Sequence, residues 1–437
     1  MFVLIGVFQI LAVITFIFFL LKTNANSILI IPKIILFSTL IAFFKYLIIF
    51  YLFNPGYPNS TFLFRPDDRF NDFVNMIITC KDLDPYNFSN YLPSVYFPVA
   101  NLFYFGFYAI CNFNLNLSII VYIVSFLILS FILIDKFLED DSKIKGYIFC
   151  AILFSYPILF SLDRLNLEMV LFLFLGGFIY FFKEGKNMLA VILLSLAICM
   201  KLYPILFLIL FLKNKNYKAI FGSFLACILF SVFSLILFKG GGILNIQKLY
   251  FNINNFNQIY SGPAGIQHNL SIYGVIKIFL FSFLKFILKF SNHLIISSTN
   301  QMLSVPYLIF VFFYFSLISL YIFFIEKTLW KLVFLVTSLF VLLPYVSFDY
   351  KLLHLIVPML LFLQNFSKEK FAVIYSVLFA LIMIPNSYFY IIWDVSIGVL
   401  INPFIIIVIS VFIILENKYI ILNKLLLVNH FLIKVFK

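Results

Sequence analysis

From Met1 to Leu21 the chain carries no charged side chain, and residues 28–53 repeat the pattern with only Lys33 and Lys45 to interrupt it. As helices, stretches of this kind cover the about 30 Å of a bilayer's hydrocarbon core. Further apolar runs fall at 117–135, 147–161, 167–182, 219–238, 304–325, 331–346, 350–364, 371–393 and 398–416. Of the 437 residues 64% are hydrophobic and only 11% charged, so a water-soluble domain would lack the polar surface to enclose its core. Unbroken runs in place of period-two alternation exclude an outer-membrane barrel. The expected fold is an all-α polytopic membrane protein with about 11–13 transmembrane helices, residues 1–437 forming a single integral membrane domain.

One hydrophilic stretch, 54–96, interrupts this pattern. It carries Arg65, Arg69, the carboxylates Asp67, Asp68, Asp72, Asp82 and Asp84, and five prolines. Prolines at that density break any span, so the stretch folds as a loop, where a membrane protein places chemistry or recognition.

Lysine counting orients the chain. Placing Lys22, Lys136, Lys143, Lys145, Lys183, Lys186, Lys213, Lys215, Lys218, Lys327, Lys331, Lys368 and Lys370 inside puts residues 54–116 and 239–303 on the extracytoplasmic side and leaves 417–437 as a basic cytoplasmic tail. Residues 1–22 lack a basic start and a small-residue cleavage site, and are expected to be a retained extra N-terminal span. The run 188–212 is broken at Lys201-Leu202-Tyr203-Pro204 and is expected to be a short hairpin of two half-spans.

Composition also excludes functions. The net charge of +13 comes from lysines dispersed between apolar runs, the pattern of membrane loops and not of a nucleic-acid surface. The five cysteines form no C-x-x-C and no metal spacing, and neither H-E-x-x-H nor a nucleophile elbow is present.

Several polar groups stand out against the apolar background. Asp72 falls in the first turn of a short predicted helix, where a carboxylate serves either as a helix cap or as a general base. Asp67 and Asp68 lie beside Arg65 and Arg69 and are expected to pair with them, with Asp163 as a further partner; alternatively these arginines grip a phosphate or carboxylate. In Asp163-Arg164-Leu165-Asn166-Leu167-Glu168, a continuous helix would make Arg164 and Glu168 neighbours one turn apart; alternatively Arg164 grips a phosphate or carboxylate. Lys201 either snorkels or points into a cavity toward an anion. His268, at the end of a long outer stretch, is either incidental or a second catalytic or binding group, and Asp349, Lys351 and His354 form a last outer cluster.

In order, these features resemble the polytopic, lipid-linked-sugar-dependent glycosyltransferases of GT-C architecture. They are most similar to the family related to polyprenyl-phosphate-mannose-dependent mannosyltransferases, glycosyltransferase family 87. The matching pieces are Asp72-Phe73, Asp84-Pro85-Tyr86, Tyr96-Phe97-Pro98, Arg164-Leu165-Asn166-Leu167-Glu168, Lys201-Leu202-Tyr203-Pro204 and Asn269-Leu270-Ser271, with Leu165 standing where the family tends to show glycine. The resemblance implies transfer of a hexose, mannose-like, from a polyprenyl-phosphate donor to a glycan or glycolipid acceptor. The active site would be extracytoplasmic and the protein integral to the cell (plasma or inner) membrane. It implies Asp72 as the catalytic base and Arg164 and Lys201 as donor-phosphate contacts, with Glu168, Asn166, Tyr203, His268, Asn269 and Asp349 around the substrate. No cofactor is required, a divalent metal being compatible but unnecessary, and the partners are the donor, the acceptor and membrane lipid, with no nucleic acid. The competing readings are a lipid-linked oligosaccharide flippase or transporter and a surface-polysaccharide polymerase.

Overall fold

The computed structural model of the protein describes residues 2–24, 28–54, 56–57, 61–87, 93–138, 142–260, 268–286, 292–385 and 395–419. Among them the chain forms eighteen α-helices and no strand. Helices α1 (Phe2–Asn24) and α2 (Ile30–Phe53) are followed by the short α3 (Asn71–Cys80) and α4 (Pro98–Ile110), then α5 (Leu115–Phe137), α6 (Ser142–Leu153) and α7 (Tyr156–Arg164). Next come α8 (Glu168–Lys183), α9 (Asn187–Met200), α10 (Leu208–Lys213), α11 (Tyr217–Ile236), α12 (Gly242–Tyr260) and α13 (Ile272–Phe286). The chain continues through α14 (Asn292–Phe324), α15 (Leu329–Leu342), α16 (Ile356–Gln364), α17 (Ala372–Met383) and α18 (Gly398–Glu416).

Six of these, α1, α2, α5, α11, α14 and α18, contain stretches long and apolar enough to cross a bilayer, and α6 with α7, bent by 49°, makes a seventh if the pair is one broken span. The shorter apolar helices, α4, α9, α15, α17 and the stretch Tyr203–Lys213, have 10–17 residues each. The apolar stretch 371–393 runs past the described residues, as do positions 420–437 of the basic tail. The protein is an all-α polytopic membrane protein.

Burial sorts the helices into two groups. On α11 the apolar residues Phe221, Phe224, Ile228 and Val232 recur along one exposed face, which suits contact with lipid. In contrast α15 is buried from Trp330 to Leu342 and α16 from Ile356 to Leu363, so both read as continuous apolar runs without being lipid-facing. At the start of α15, Lys331 bridges Glu369 at 2.8 Å and Glu416 at 2.5 Å, which ties it to α18 and to the turn before α17. At its other end α15 delivers residues 344–351, and a 3-10 turn over Asp349–Leu355 packs there against α7 and α8. The polar residues singled out in the sequence gather at that end.

Candidate active site

Asp72 is positioned by its neighbours on α3. Phe70 adopts the left-handed conformation (φ 62°) just before the helix, and its N–H donates to the Asp163 carbonyl at 2.8 Å. Phe73 is fully buried, with ring centroids 4.9 Å from Tyr122 and 5.5 Å from Tyr104. With Phe73 anchored inward, the preceding position faces a quarter turn or so away, toward α7. The Asp163 side chain holds the approach to α3, accepting from the Phe64 N–H and from Arg69 Nε, each at 3.3 Å.

Between α7 and α8 the helix does not continue. Leu165 sits in the left-handed region (φ 50°), where glycine is the favoured residue, and its N–H closes on the Ser161 carbonyl at 2.7 Å. A leucine tolerates this conformation because its side chain is completely buried, and packing offsets the backbone cost. The break separates Arg164 from Glu168, so the one-turn pairing that a continuous helix would allow does not form. The two residues point into different clusters.

Arg164 lies between two carboxylates. Its Nη1 donates to Asp68 Oδ2 at 2.5 Å and to the Asp68 carbonyl at 2.7 Å, while Nη2 donates to Asp72 Oδ1. The other Asp72 oxygen accepts from Asn166 Nδ2 at 2.6 Å. Asp68 therefore pairs with Arg164, and Arg69 pairs with Asp163; the expected pairing of Asp68 with its sequence neighbours is corrected. Distant partners prevail because the loop folds back over α7, which brings Arg164 within reach of Asp68 and Asp163 within reach of Arg69.

Asp68, Asp72, Arg164 and Asn166 line a cavity of about 200 Å³ whose remaining walls are mostly aromatic: Phe64, Tyr96, Phe160, Phe256, Tyr260, Phe348 and Tyr350, with His268. Desolvation pushes the Tyr96 hydroxyl above its ordinary pKa, outweighing the pull of the Lys201 ammonium, and desolvation followed by the Asp72 carboxylate does the same at Tyr260. Both phenols therefore stay neutral and able to donate hydrogen bonds. Among the described residues, no group of three or more His, Cys, Asp or Glu side chains is disposed to hold a metal ion.

Glu168 forms a second cluster next to Asn166 and lies outside the cavity lining. It is fully buried, with Oε1 accepting from Lys201 Nζ at 2.7 Å and Oε2 accepting from the Tyr203 hydroxyl and from His354 Nε2, the latter at 2.7 Å. The carboxylate thereby joins α8, the segment after α9 and the 3-10 turn at 349–355. Asn166 links the two clusters, since its Oδ1 accepts the Glu168 N–H at 3.1 Å while its amide nitrogen holds Asp72.

His268 and Asp349 meet on the far wall. His268 Nδ1 is 3.2 Å from Asp349 Oδ2, which also accepts from Tyr156 at 2.5 Å, and His268 Nε2 lies 3.4 Å from the Tyr57 hydroxyl. Asn269 is employed structurally. Its Oδ1 accepts from the N–H groups of Ser271 and Ser347 and its amide nitrogen donates to the Tyr345 carbonyl, which locks the 268–271 loop onto 345–348.

The structure thus brings Asp72, Arg164, Asn166 and His268 to one cavity and places Lys201 and Tyr203 on an adjoining one, while Glu168, Asp349 and Asn269 support the walls. Sequence reasoning missed Phe256 and Tyr260. The signal was present as a helical stripe, Asn245, Leu249, Asn252, Phe256 and Tyr260, within a segment read as loop.

The model of glycosyltransferase family 87 matches residues 91–385, a span that includes Arg164, Asn166, Lys201, His268 and Asp349 and begins after Asp68 and Asp72. Comparison with curated proteins and with solved structures gives no match. The matched span covers well over half of a chain that places Asp68, Asp72 and Arg164 in one aromatic-walled cavity of an apolar helical bundle. The protein belongs to glycosyltransferase family 87 and is a membrane glycosyltransferase.

Proposed function

We propose that this glycosyltransferase moves a hexose, mannose-like, from a polyprenyl-phosphate donor to a glycan or glycolipid acceptor on the extracytoplasmic face of the cell membrane. The observation that carries this reading is the meeting of Asp72, Arg164 and Asn166 in a cavity whose aromatic wall is shared with a larger, mainly apolar cavity bearing Lys201. A carboxylate, a guanidinium and flat apolar rings are what a sugar needs around it: polar partners for hydroxyls and surfaces for its C–H face.

A polyprenyl-phosphate sugar is already activated, so nucleotide-binding machinery is unnecessary. The acceptor hydroxyl attacks the anomeric carbon as the bond from that carbon to the phosphate oxygen breaks, and polyprenyl phosphate departs. Asp72 takes the hydroxyl proton. Asn166 and Arg164 each occupy one site on its oxygens, and a carboxylate has about four lone-pair sites, so capacity to accept remains. Arg164 and Lys201 stabilise the charge that develops on the phosphate. The aromatic walls exclude the water that would otherwise hydrolyse the donor.

Purified full-length protein in detergent, given polyprenyl-phosphate hexoses, nucleotide hexoses and a panel of glycan acceptors, tests the reading. Product is expected with a lipid-linked donor alone, polyprenyl-phosphate mannose foremost. Transfer from nucleotide sugars with none from lipid-linked ones would overturn it.

A further inference from the structure

The larger cavity, about 510 Å³, shares Tyr96, Phe256, Phe348 and Tyr350 with the polar one. Its charged lining side chains among the described residues are Lys201 and Lys351, and no carboxylate joins them. Each ammonium lies against a ring of the same cavity, Lys201 at 5.1 Å from the Tyr96 centroid and Lys351 at 5.1 Å from that of Tyr203.

The two lysines differ in how they are neutralised. Lys201 is paired with Glu168 at 2.7 Å. Lys351 is only 7% exposed, yet its Nζ donates to a neutral group, the Phe340 carbonyl at 3.3 Å. Glu168, the carboxylate of this cluster, is already engaged by Lys201, Tyr203 and His354. One carboxylate thus faces two ammoniums, and the cluster carries an excess positive charge. A buried ammonium lacking a counter-ion is unfavourable, and an anion entering the cavity removes that penalty. The polar cavity has the opposite balance, since Asp68 and Asp72 together outweigh Arg164.

We infer that Lys351, together with Lys201, forms the seat for the phosphate of an amphiphilic phosphate ester, whose hydrocarbon chain lies along the apolar walls of the same cavity. The inference rests on the proposed lipid-linked donor and adds a residue and a location: the phosphate sits on the lysine side of the shared aromatic wall.

Binding of farnesyl phosphate, farnesol and inorganic phosphate to the full-length protein in detergent tests this. Wild type should prefer farnesyl phosphate to either of the others by about tenfold or more. Lys351→Met should lose about tenfold to a hundredfold of the farnesyl phosphate affinity with farnesol binding unchanged, and Lys351→Arg should stay close to wild type. Lys351→Met binding farnesyl phosphate like wild type, while Lys201→Met does not, would overturn the role of Lys351 and leave the donor reading standing. A wild type that fails to prefer farnesyl phosphate to farnesol overturns both. Equal binding of inorganic phosphate and farnesyl phosphate overturns the placement of the chain. Should Lys351→Met fail to fold, acetic anhydride footprinting of wild type decides: Lys351 should be protected by farnesyl phosphate and not by farnesol, and equal acetylation under both rejects the seat.

Discussion

Asp72 and Glu168 are both acidic and both paired with a cation, but neutralising them has different consequences. Asp72 borders the cavity, and its partner Arg164 keeps Asp68 when Asp72 loses its charge. Asn at position 72 also retains an oxygen for the guanidinium. Glu168 is completely buried and holds Lys201, Tyr203 and His354 together, so a Glu168 variant reports on folding as much as on chemistry. Residues of the first kind are legible in a sequence like this one. Charge is costly in an apolar chain, so each surviving Asp or Arg carries information. Pairing is less legible. Asp68 reaches Arg164 and Arg69 reaches Asp163 because of how the loop folds, which no local spacing encodes. The aromatic walls were invisible for another reason: among 63 phenylalanines and 26 tyrosines, Phe256 or Tyr260 gives no signal by its type.

Helix boundaries raise the same question one level up. Leu165 ends α7 in the left-handed region with its side chain fully buried, so two effects oppose each other at one position. Leu165→Gly removes the buried side chain, a loss of about 2–5 kcal/mol, but relieves about 1 kcal/mol of backbone cost. Leu165→Ala loses the side chain and keeps that cost. The alanine variant should therefore be the less stable by about 1 kcal/mol in thermal unfolding in detergent, the reverse of the usual order in helices. Alanine matching or exceeding glycine would show that the turn is not under backbone strain. Helix α12 carries a helical stripe that its mixed polarity obscures. It buries Asn245 and Asn252 beside Leu249 while Ile243, Ile246 and Tyr250 face outward, so apolar residues fall on both sides of the helix. With polar and apolar residues on both faces, it matches neither a span nor a water-exposed helix.

At the scale of the whole molecule, hydropathy alone disclosed an all-α membrane protein. It did not disclose which apolar runs are spans, because a helix buried in protein, such as α15, is as apolar as one in lipid. The family match begins at residue 91, yet the loop bearing Asp68 and Asp72 is folded against the matched part through Arg164 and Asn166. The sidedness argued from lysine distribution makes its own prediction: in a variant freed of native cysteines, a cysteine at position 65 should react with an impermeant thiol reagent in intact cells and one at position 143 should not. The opposite pattern would invert the topology and with it the side on which transfer occurs. If Asp72 removes the acceptor's proton, turnover of Asp72→Asn with a lipid-linked donor is the decisive measurement. Turnover should fall by about 10²–10⁴, with donor affinity and thermal unfolding nearly unchanged. Wild-type turnover in Asp72→Asn, alongside loss of turnover in a folded Asp349→Asn or Glu168→Gln, would contradict it.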